Sequence, residues 1–157
     1  MLDQLTKDEI ASYFMRAEES PRLRAHKILH EPGAYENAVF NFMCKGTYMK
    51  PHLHPGKEKI EHINVLAGRL VIFYFNDQGE VIFKKSISAD DEENLIIVPA
   101  YTWHTYLMLA DQVLTYETMD GVYDPKTWKH HPDWAPDEDS LQRQNYFDHL
   151  RNEAEKA

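Results

Sequence analysis

The sequence has little cysteine and no long apolar run. Its single cysteine, Cys44, excludes an internal disulfide bond. No apolar stretch approaches the roughly 20 residues that a membrane-spanning helix requires. Residues 1–10 also lack the apolar core of a signal peptide, because charged side chains interrupt them. We therefore expect a cytoplasmic protein that does not bind membranes.

Basic residues are outnumbered by acidic ones. The chain has 17 Lys and Arg residues against 26 Asp and Glu residues, which gives a formal net charge of -9. A negative field repels phosphate backbones, so we expect no nucleic-acid partner. With 157 residues, 43% of them hydrophobic, the chain is long and apolar enough to bury one core. The prediction is one domain that folds on its own.

Both ends of the chain have helical patterns. Thr6 and Glu9 have the spacing of a capping box, and the helical periodicity that follows ends at Ser20–Pro21. Near the other end, Pro136 suits a first helical turn. The apolar stripe of this second helix consists of Leu141, Phe147 and Leu150. Within a single domain spanning 1–157, we expect an N-terminal helix over 1–20, a barrel over 21–120, a covering arm over 121–135 and a C-terminal helix over 136–157.

Short runs rich in β-branched and aromatic residues fill the chain between the helices. Turn residues such as Asn76–Gly79, Ala110–Asp111 and Ala67–Gly68 separate these runs. This pattern is typical of an all-β sandwich or barrel. The predicted strands are 22–30, 37–44, 47–53, 60–66, 69–76, 80–87, 94–98, 103–109 and 112–118. The predicted fold class is therefore all-β with flanking helices.

Three potential metal ligands fall in, or directly after, two of these predicted strands. His52 and His54 are two residues apart, and side chains at that spacing point to the same face of a strand. Glu61 shares one face of a later strand with Ile63 and Val65. If these two apolar side chains face the core, the Glu61 carboxylate faces it as well.

His104 adds a fourth donor at the start of another apolar strand. Three neutral imidazoles and one carboxylate suit a divalent first-row ion such as Fe, Mn, Ni, Co or Zn. An ion with six ligands would keep two positions open for water or substrate. The sequence therefore predicts a metal site whose ligands are His52, His54, Glu61 and His104.

The same residues resemble the two motifs of the cupin superfamily. Residues 46–68 resemble the first motif, Gly-x5-His-x-His-x3-4-Glu-x6-Gly, and residues 99–104 resemble the second, Pro-x-Gly-x2-His. The resemblance implies a jelly-roll β-barrel, also called a double-stranded β-helix, with the metal inside. Two positions depart from the motifs. Tyr101 replaces a glycine, and Glu58 fits the usual gap after the histidines better than Glu61, although Glu61 has the expected distance to Gly68.

A closer resemblance, over most of the chain, is to the WbuC-type cupin metalloproteins. The matching segments are Pro21–His26, Pro51–Pro55, Val65–Gly68, Pro99–His104, Tyr123–Pro125 and Trp134–Pro136. Genes of that family often lie among genes for O-antigen and surface polysaccharide. The resemblance implies fold and metal and does not name a reaction.

Several other residues are candidates for substrate binding or catalysis. Arg24 is placed to hold an anionic substrate, or else to pair with the protein's own acidic surface. Tyr101 and Tyr106 flank His104 and either stack on substrate or belong to the core. A role for Tyr123 rests on the family resemblance alone. Glu117 and His26 are the candidate general bases.

These residues support two classes of function. The first is a metal-dependent enzyme, of the isomerase, epimerase or oxygenase type, that acts on a small polar molecule such as a sugar derivative. The second is a binding or sensing module that captures a sugar or an anion without turnover. In either case the partner is a small molecule. By analogy with other cupins, whose sheet edges pair, we also expect a homodimer.

Overall fold

Eight strands form two antiparallel sheets in a computed structural model that describes residues 5–156. The strands are β1 Arg24–Ile28, β2 Glu36–Cys44, β3 Glu61–Ala67, β4 Arg69–Phe75, β5 Val81–Ser88, β6 Leu95–Val98, β7 Trp103–Met108 and β8 Gln112–Asp120. One sheet has the order β1-β2-β8-β3-β6 and the other has the order β5-β4-β7. Among the described strands, the two sheets do not close into a continuous barrel. Residues 1–4 and 157 of the predicted end segments lie outside the described residues.

Apolar side chains from both sheets fill the space between them. On β3, Ile63 and Val65 are fully buried, and they alternate with the partly exposed His62 and Asn64. Ile72 of β4 meets them from the other sheet. The period of two along β3 therefore determines which residues face the interior, and Glu61 lies on the inward face.

The outer face of the five-stranded sheet is covered by α1, which spans Lys7–Glu19. Phe14 and Ala17 of the helix are buried against the sheet. The ring of Phe42 lies 4.7 Å from Tyr13 in a stacked arrangement and 5.3 Å from Phe14 edge-on. The capping box predicted at Thr6 is present, since each partner's side chain accepts a hydrogen bond from the other's backbone N–H.

The outer face of the three-stranded sheet is covered by α2, which spans Arg143–Glu155. Phe147 and Leu150 pack there against residues of β4 and β7. The prediction that this helix begins near Pro136 is wrong, because residues 137–142 form turns. The acidic residues that follow Pro136 pair with distant cations, as Glu138 does with Arg24 and Asp137 with Lys50. Leu141 is fully exposed and does not belong to the apolar stripe.

The predicted strand 47–53 is also wrong. The Thr47 hydroxyl donates to backbone carbonyl oxygens, and Pro51 has no N–H to donate, so neither residue supports a regular strand ladder. Only two isolated bridges remain, between His52 and His104 and between Leu53 and His130. The segment is nevertheless extended around His52, so neighbouring side chains still alternate in direction.

The second of these bridges holds the segment after β8 against the histidine-bearing segment. Backbone hydrogen bonds of 2.9 and 3.0 Å join Leu53 and His130. Further along, the Trp134 ring packs 5.1 Å from Phe75. Among residues 5–156, the helices are too short or too polar to cross a membrane.

The two leucines near α2 provide a direct test of this packing. Leu150→Ala removes a buried side chain and should lower the free energy of unfolding by about 2–5 kcal/mol. Leu141→Ala removes an exposed one and should change it by less than about 0.5 kcal/mol. Urea unfolding of both variants measures the difference, and equal losses would contradict the observed position of the helix.

Candidate metal centre

The extended segment before β3 places two imidazoles side by side. His52 is fixed to β7 by two backbone hydrogen bonds with His104, of 3.0 and 2.9 Å. The rings of His52 and His54 lie 5.0 Å apart, so both point to the same side, as their spacing predicts. Both residues are buried, at 2% and 4% exposure. A short extended segment without a full ladder is therefore sufficient to orient the pair.

Glu61 and His104 complete the group from the two facing sheets. Glu61 is the first residue of β3, and His104 is the second residue of β7. Glu61 Oε2 lies 3.0 Å from His104 Nε2 and 3.5 Å from His54 Nε2. One potential ligand atom from each of His52, His54, Glu61 and His104 lies within 4.8 Å of all the others. The four predicted metal ligands thus converge on one point.

Each of the three imidazoles is oriented by a backbone carbonyl. Nδ1 of His52 lies 3.2 Å from the Lys50 carbonyl oxygen, and Nδ1 of His54 lies 2.8 Å from that of Trp128. Nδ1 of His104 lies 2.8 Å from the Thr102 carbonyl oxygen. A carbonyl only accepts, so in each case Nδ1 carries the proton and donates it. In the neutral imidazoles, Nε2 is left with a free lone pair.

These lone pairs create a need for a positive charge at the centre. His54 Nε2 is buried and has no hydrogen-bond partner among the described residues. When His104 is neutral, its Nε2 is an acceptor that lies 3.0 Å from another acceptor, Glu61 Oε2. Two buried hydrogen-bond acceptors at this distance are unfavourable unless a proton or a cation lies between them. A divalent ion meets this requirement for all four donors together, so the residues present fit a metal.

The ionisation states of the donors also suit a metal. Burial, followed by the nearby charge of Lys129, holds the pKa of His52 well below its usual value, which keeps the imidazole neutral. Burial disfavours the charged form of Glu61, but the adjacent His104 and His54 imidazoles outweigh it and hold the pKa of this carboxyl well below its usual value. A neutral imidazole and an ionised carboxylate are the forms that bind metal.

A second buried carboxylate lies on the same inner face of the five-stranded sheet. Glu117 of β8 is opposite Ile63, two residues along β3 from Glu61. Its Oε1 accepts hydrogen bonds from the hydroxyls of Tyr106, at 2.6 Å, and Thr115, at 2.9 Å. Burial and then the negative charge of Glu61 raise the pKa of Glu117 to about 7. Glu117 therefore titrates near neutral pH.

Arg24, the residue predicted to hold an anionic substrate, already has an acidic partner. Its guanidinium is 2.6 Å from Glu138, which also binds Arg22 at 2.8 Å. The structure therefore contains the internal ion pair that the sequence left open as an alternative to substrate binding. Arg24 also donates to the Tyr48 carbonyl oxygen at 3.3 Å.

The other predicted site residues lie further from the four donors. His26 is exposed on β1 opposite Asn41, two strands and about 10 Å from Thr115 of β8. Tyr123 is exposed and its ring lies 5.2 Å from that of Trp128. Tyr101 has an exposed side chain and a backbone φ of 59°, a left-handed conformation that explains why the motif has glycine there. Roles in substrate binding or catalysis for these residues stay predictions.

The choice between two glutamates is resolved by position. Glu58 lies in the turn after His54, half-buried beside Gly56, and is not part of the converging group. Glu61 is the first residue of β3 and its side chain points to the interior, so it belongs to the group.

Sequence reasoning missed two contributors from the segment after β8. The Trp128 carbonyl orients His54, and Lys129 places a positive charge near His52. This segment has no regular period, so only its tertiary pairing with Leu53 reveals both roles. By contrast, the contact between Thr115 and Glu117 can be predicted from the sequence, because residues two apart in a predicted strand point to the same face.

Comparison with solved structures identifies the fold. The capsular polysaccharide assembling protein CapF from Staphylococcus aureus is similar at 19% identity and TM-score 0.62, over 72% of this chain and 32% of that one. KdgF from Halomonas sp. is similar at 20% identity and TM-score 0.52, over 68% and 86%. Oxalate decarboxylase from Bacillus subtilis is similar at 14% identity and TM-score 0.53, over 69% and 27%. At these identities the likeness shows the fold alone, and the chain spans about a third of the length of CapF.

Sequence comparison adds the family. No curated protein matches the chain. Residues 5–87, more than half of the chain, match the model of a family described as a domain of unknown function, DUF6016. The predicted all-β fold class with flanking helices is confirmed. The chain belongs to the DUF6016 family and has the cupin-type jelly-roll fold, with a buried three-histidine, one-glutamate group that suits a metal ion.

Proposed function

We propose that this protein is a metal-dependent enzyme that acts on a small polar molecule. The observation that carries the proposal is the convergence of His52, His54, Glu61 and His104 within 4.8 Å, with every histidine Nδ1 tied to a carbonyl. A divalent ion bound there would act as a Lewis acid on substrate oxygen or as a binding site for dioxygen. Fe, Mn, Ni, Co and Zn all suit this donor set.

The metal-binding part of the proposal predicts the effect of removing single ligands. The purified, untagged protein should take up one divalent ion per chain from Co(II), and His52→Ala or Glu61→Gln should reduce uptake at least tenfold. His62→Ala is the matched control, because His62 is adjacent to Glu61 but points to the other face of β3. Elemental analysis after dialysis measures the stoichiometry.

Two outcomes would contradict this site. One is a wild-type protein that retains no metal after reconstitution. The other is uptake that depends on the exposed His130 rather than on His52. Circular dichroism of each variant shows whether a loss of metal reflects a loss of fold.

Glu117 is the acid–base residue that we propose for the reaction. Its Oε1 accepts hydrogen bonds from the hydroxyls of Tyr106 and Thr115, and the Asn41 side chain also donates to this carboxyl. A carboxyl group whose pKa is about 7 serves as either acid or base at neutral pH. His26 is the alternative base, although it is exposed and lies further away.

The raised pKa of Glu117 predicts a pH dependence of stability in the metal-free protein. A carboxyl whose pKa rises on folding stabilises the protein fully below its unfolded pKa, near 4.5, and this contribution is lost as the pH rises through about 7. The full loss corresponds to roughly 3 kcal/mol. Glu61, Tyr106 and Lys129 carry the titratable groups around Glu117.

Urea unfolding at several pH values between 5 and 8 measures this effect. The wild type should lose more stability over this range than Glu117→Gln, while Glu36→Gln, at an exposed position of β2, should follow the wild type. Parallel curves for wild type and Glu117→Gln would show that Glu117 does not titrate in this range.

A binding or sensing module is the second candidate function. The exposed Tyr101 and Tyr123 favour it in one respect, since exposed aromatic faces bind sugars without chemistry. Incubation of the metal-loaded protein with sugar nucleotides and glycan precursors, in air and anaerobically, distinguishes an enzyme from a sensing module. The enzyme proposal predicts a product that is absent with His52→Ala. Tight binding without turnover under either condition would favour the sensing module.

We also propose the finer assignments that the resemblance implies. A WbuC-type cupin would act on a sugar-derived substrate in a polysaccharide pathway, and the similarity in fold to the capsular polysaccharide assembling protein CapF is consistent with this. Strands β5 and β6 lie at sheet edges in the described chain, which is compatible with a homodimer. A cytoplasmic location and a single domain over 1–157 complete the proposal.

A further inference from the structure

The bridge between Leu53 and His130 determines the direction in which Lys129 points. The two segments run antiparallel at this bridge. The residue after Leu53, His54, is therefore opposite the residue before His130, Lys129, and His52 is likewise opposite His131. Two residues that are opposite each other across an antiparallel pairing point their side chains to the same face of the paired segments. The ring of His131 is indeed 6.1 Å from that of His52. Lys129 therefore lies on the side of the metal-binding imidazoles.

The charge of Lys129 acts on the centre from this position. It lowers the pKa of His52, and the negative charges of Glu61 and Glu117 act in turn on Lys129. Burial is the largest influence on Lys129 and lowers its pKa, although the side chain keeps an exposed surface. Lys129 is therefore exposed over part of its surface, while the surrounding protein partly removes water from its ammonium group.

Lys129 differs from its cationic neighbours because they have partners. Arg24 pairs with Glu138 at 2.6 Å, and Lys50 pairs with Asp137 at 2.7 Å. Lys59 donates to the Thr127 carbonyl oxygen at 3.3 Å. Within residues 5–156, no ion pair or hydrogen bond of the Lys129 ammonium is found. A partly desolvated ammonium group without a direct ion pair gains from contact with an anionic ligand.

We propose that the substrate carries a carboxylate and that Lys129 holds this carboxylate beside the metal-binding side chains. This inference rests on the metal site proposed above. Arg24, which the sequence predicted for this role, is already paired with Glu138. A single ammonium matches the one negative charge of a carboxylate better than the two charges of a phosphate monoester. Lys129 would then select anionic over neutral molecules of the same shape.

The test uses the Co(II)-loaded protein, whose visible spectrum reports ligands at the metal. Glycolate and its neutral analogue glycolamide serve as probes, with inorganic phosphate as a third. We expect glycolate to change the spectrum and to bind at least tenfold more tightly than glycolamide or phosphate. Lys129→Met should reduce this preference at least tenfold with the cobalt content unchanged, and Lys129→Arg should restore most of it. Lys126→Met, at an exposed position three residues before Lys129, is the matched control and should behave as the wild type.

Each remaining outcome overturns a distinct part of the account. Cobalt binding with equal glycolate affinity in Lys129→Met and wild type would overturn the role of Lys129 and leave the metal site standing. A spectral response to phosphate alone would overturn the choice of a carboxylate. Failure of the wild type to bind cobalt would overturn the metal site, and with it this inference.

Discussion

Three imidazole nitrogens and a carboxylate oxygen converge inside this protein. All four carry lone pairs, so their close approach is unfavourable unless a proton or a cation lies between them. His104 Nε2 and Glu61 Oε2 are 3.0 Å apart, and His54 Nε2 is buried without a hydrogen-bond partner. The opposite nitrogen of every imidazole is fixed by a backbone carbonyl. The protein therefore orients four electron donors towards one point, which reduces the cost of binding an ion there.

The fold supplies these donors from three separate segments. β3 and β7 belong to facing sheets, so Glu61 and His104 approach each other across the interior, and the isolated bridge to His104 fixes His52. The helices pack on the outer faces of the sheets and leave the space between them to the apolar core and the centre. The segment after β8 then closes one side, where Trp128 orients His54 and Lys129 adds a positive charge.

Much of this arrangement was predictable from the sequence because it depends on short-range periodicity. Alternation along β3 placed Glu61 on the same face as Ile63 and Val65, and the structure confirms that face as buried. The start of α2 was not predictable, since the acidic residues after Pro136 pair with cations from distant segments. The position of Lys129 was equally hidden, because it depends on one bridge between irregular segments.

Anomalous diffraction from crystals of the metal-loaded protein, collected at the absorption edge of the bound ion, tests the central claim most directly. The account predicts one anomalous peak within bonding distance of His52, His54, Glu61 and His104, at about 2.0–2.2 Å for nitrogen and oxygen ligands of zinc. A peak elsewhere, for instance at the exposed His130, or side chains that point away from a common ion, would contradict it.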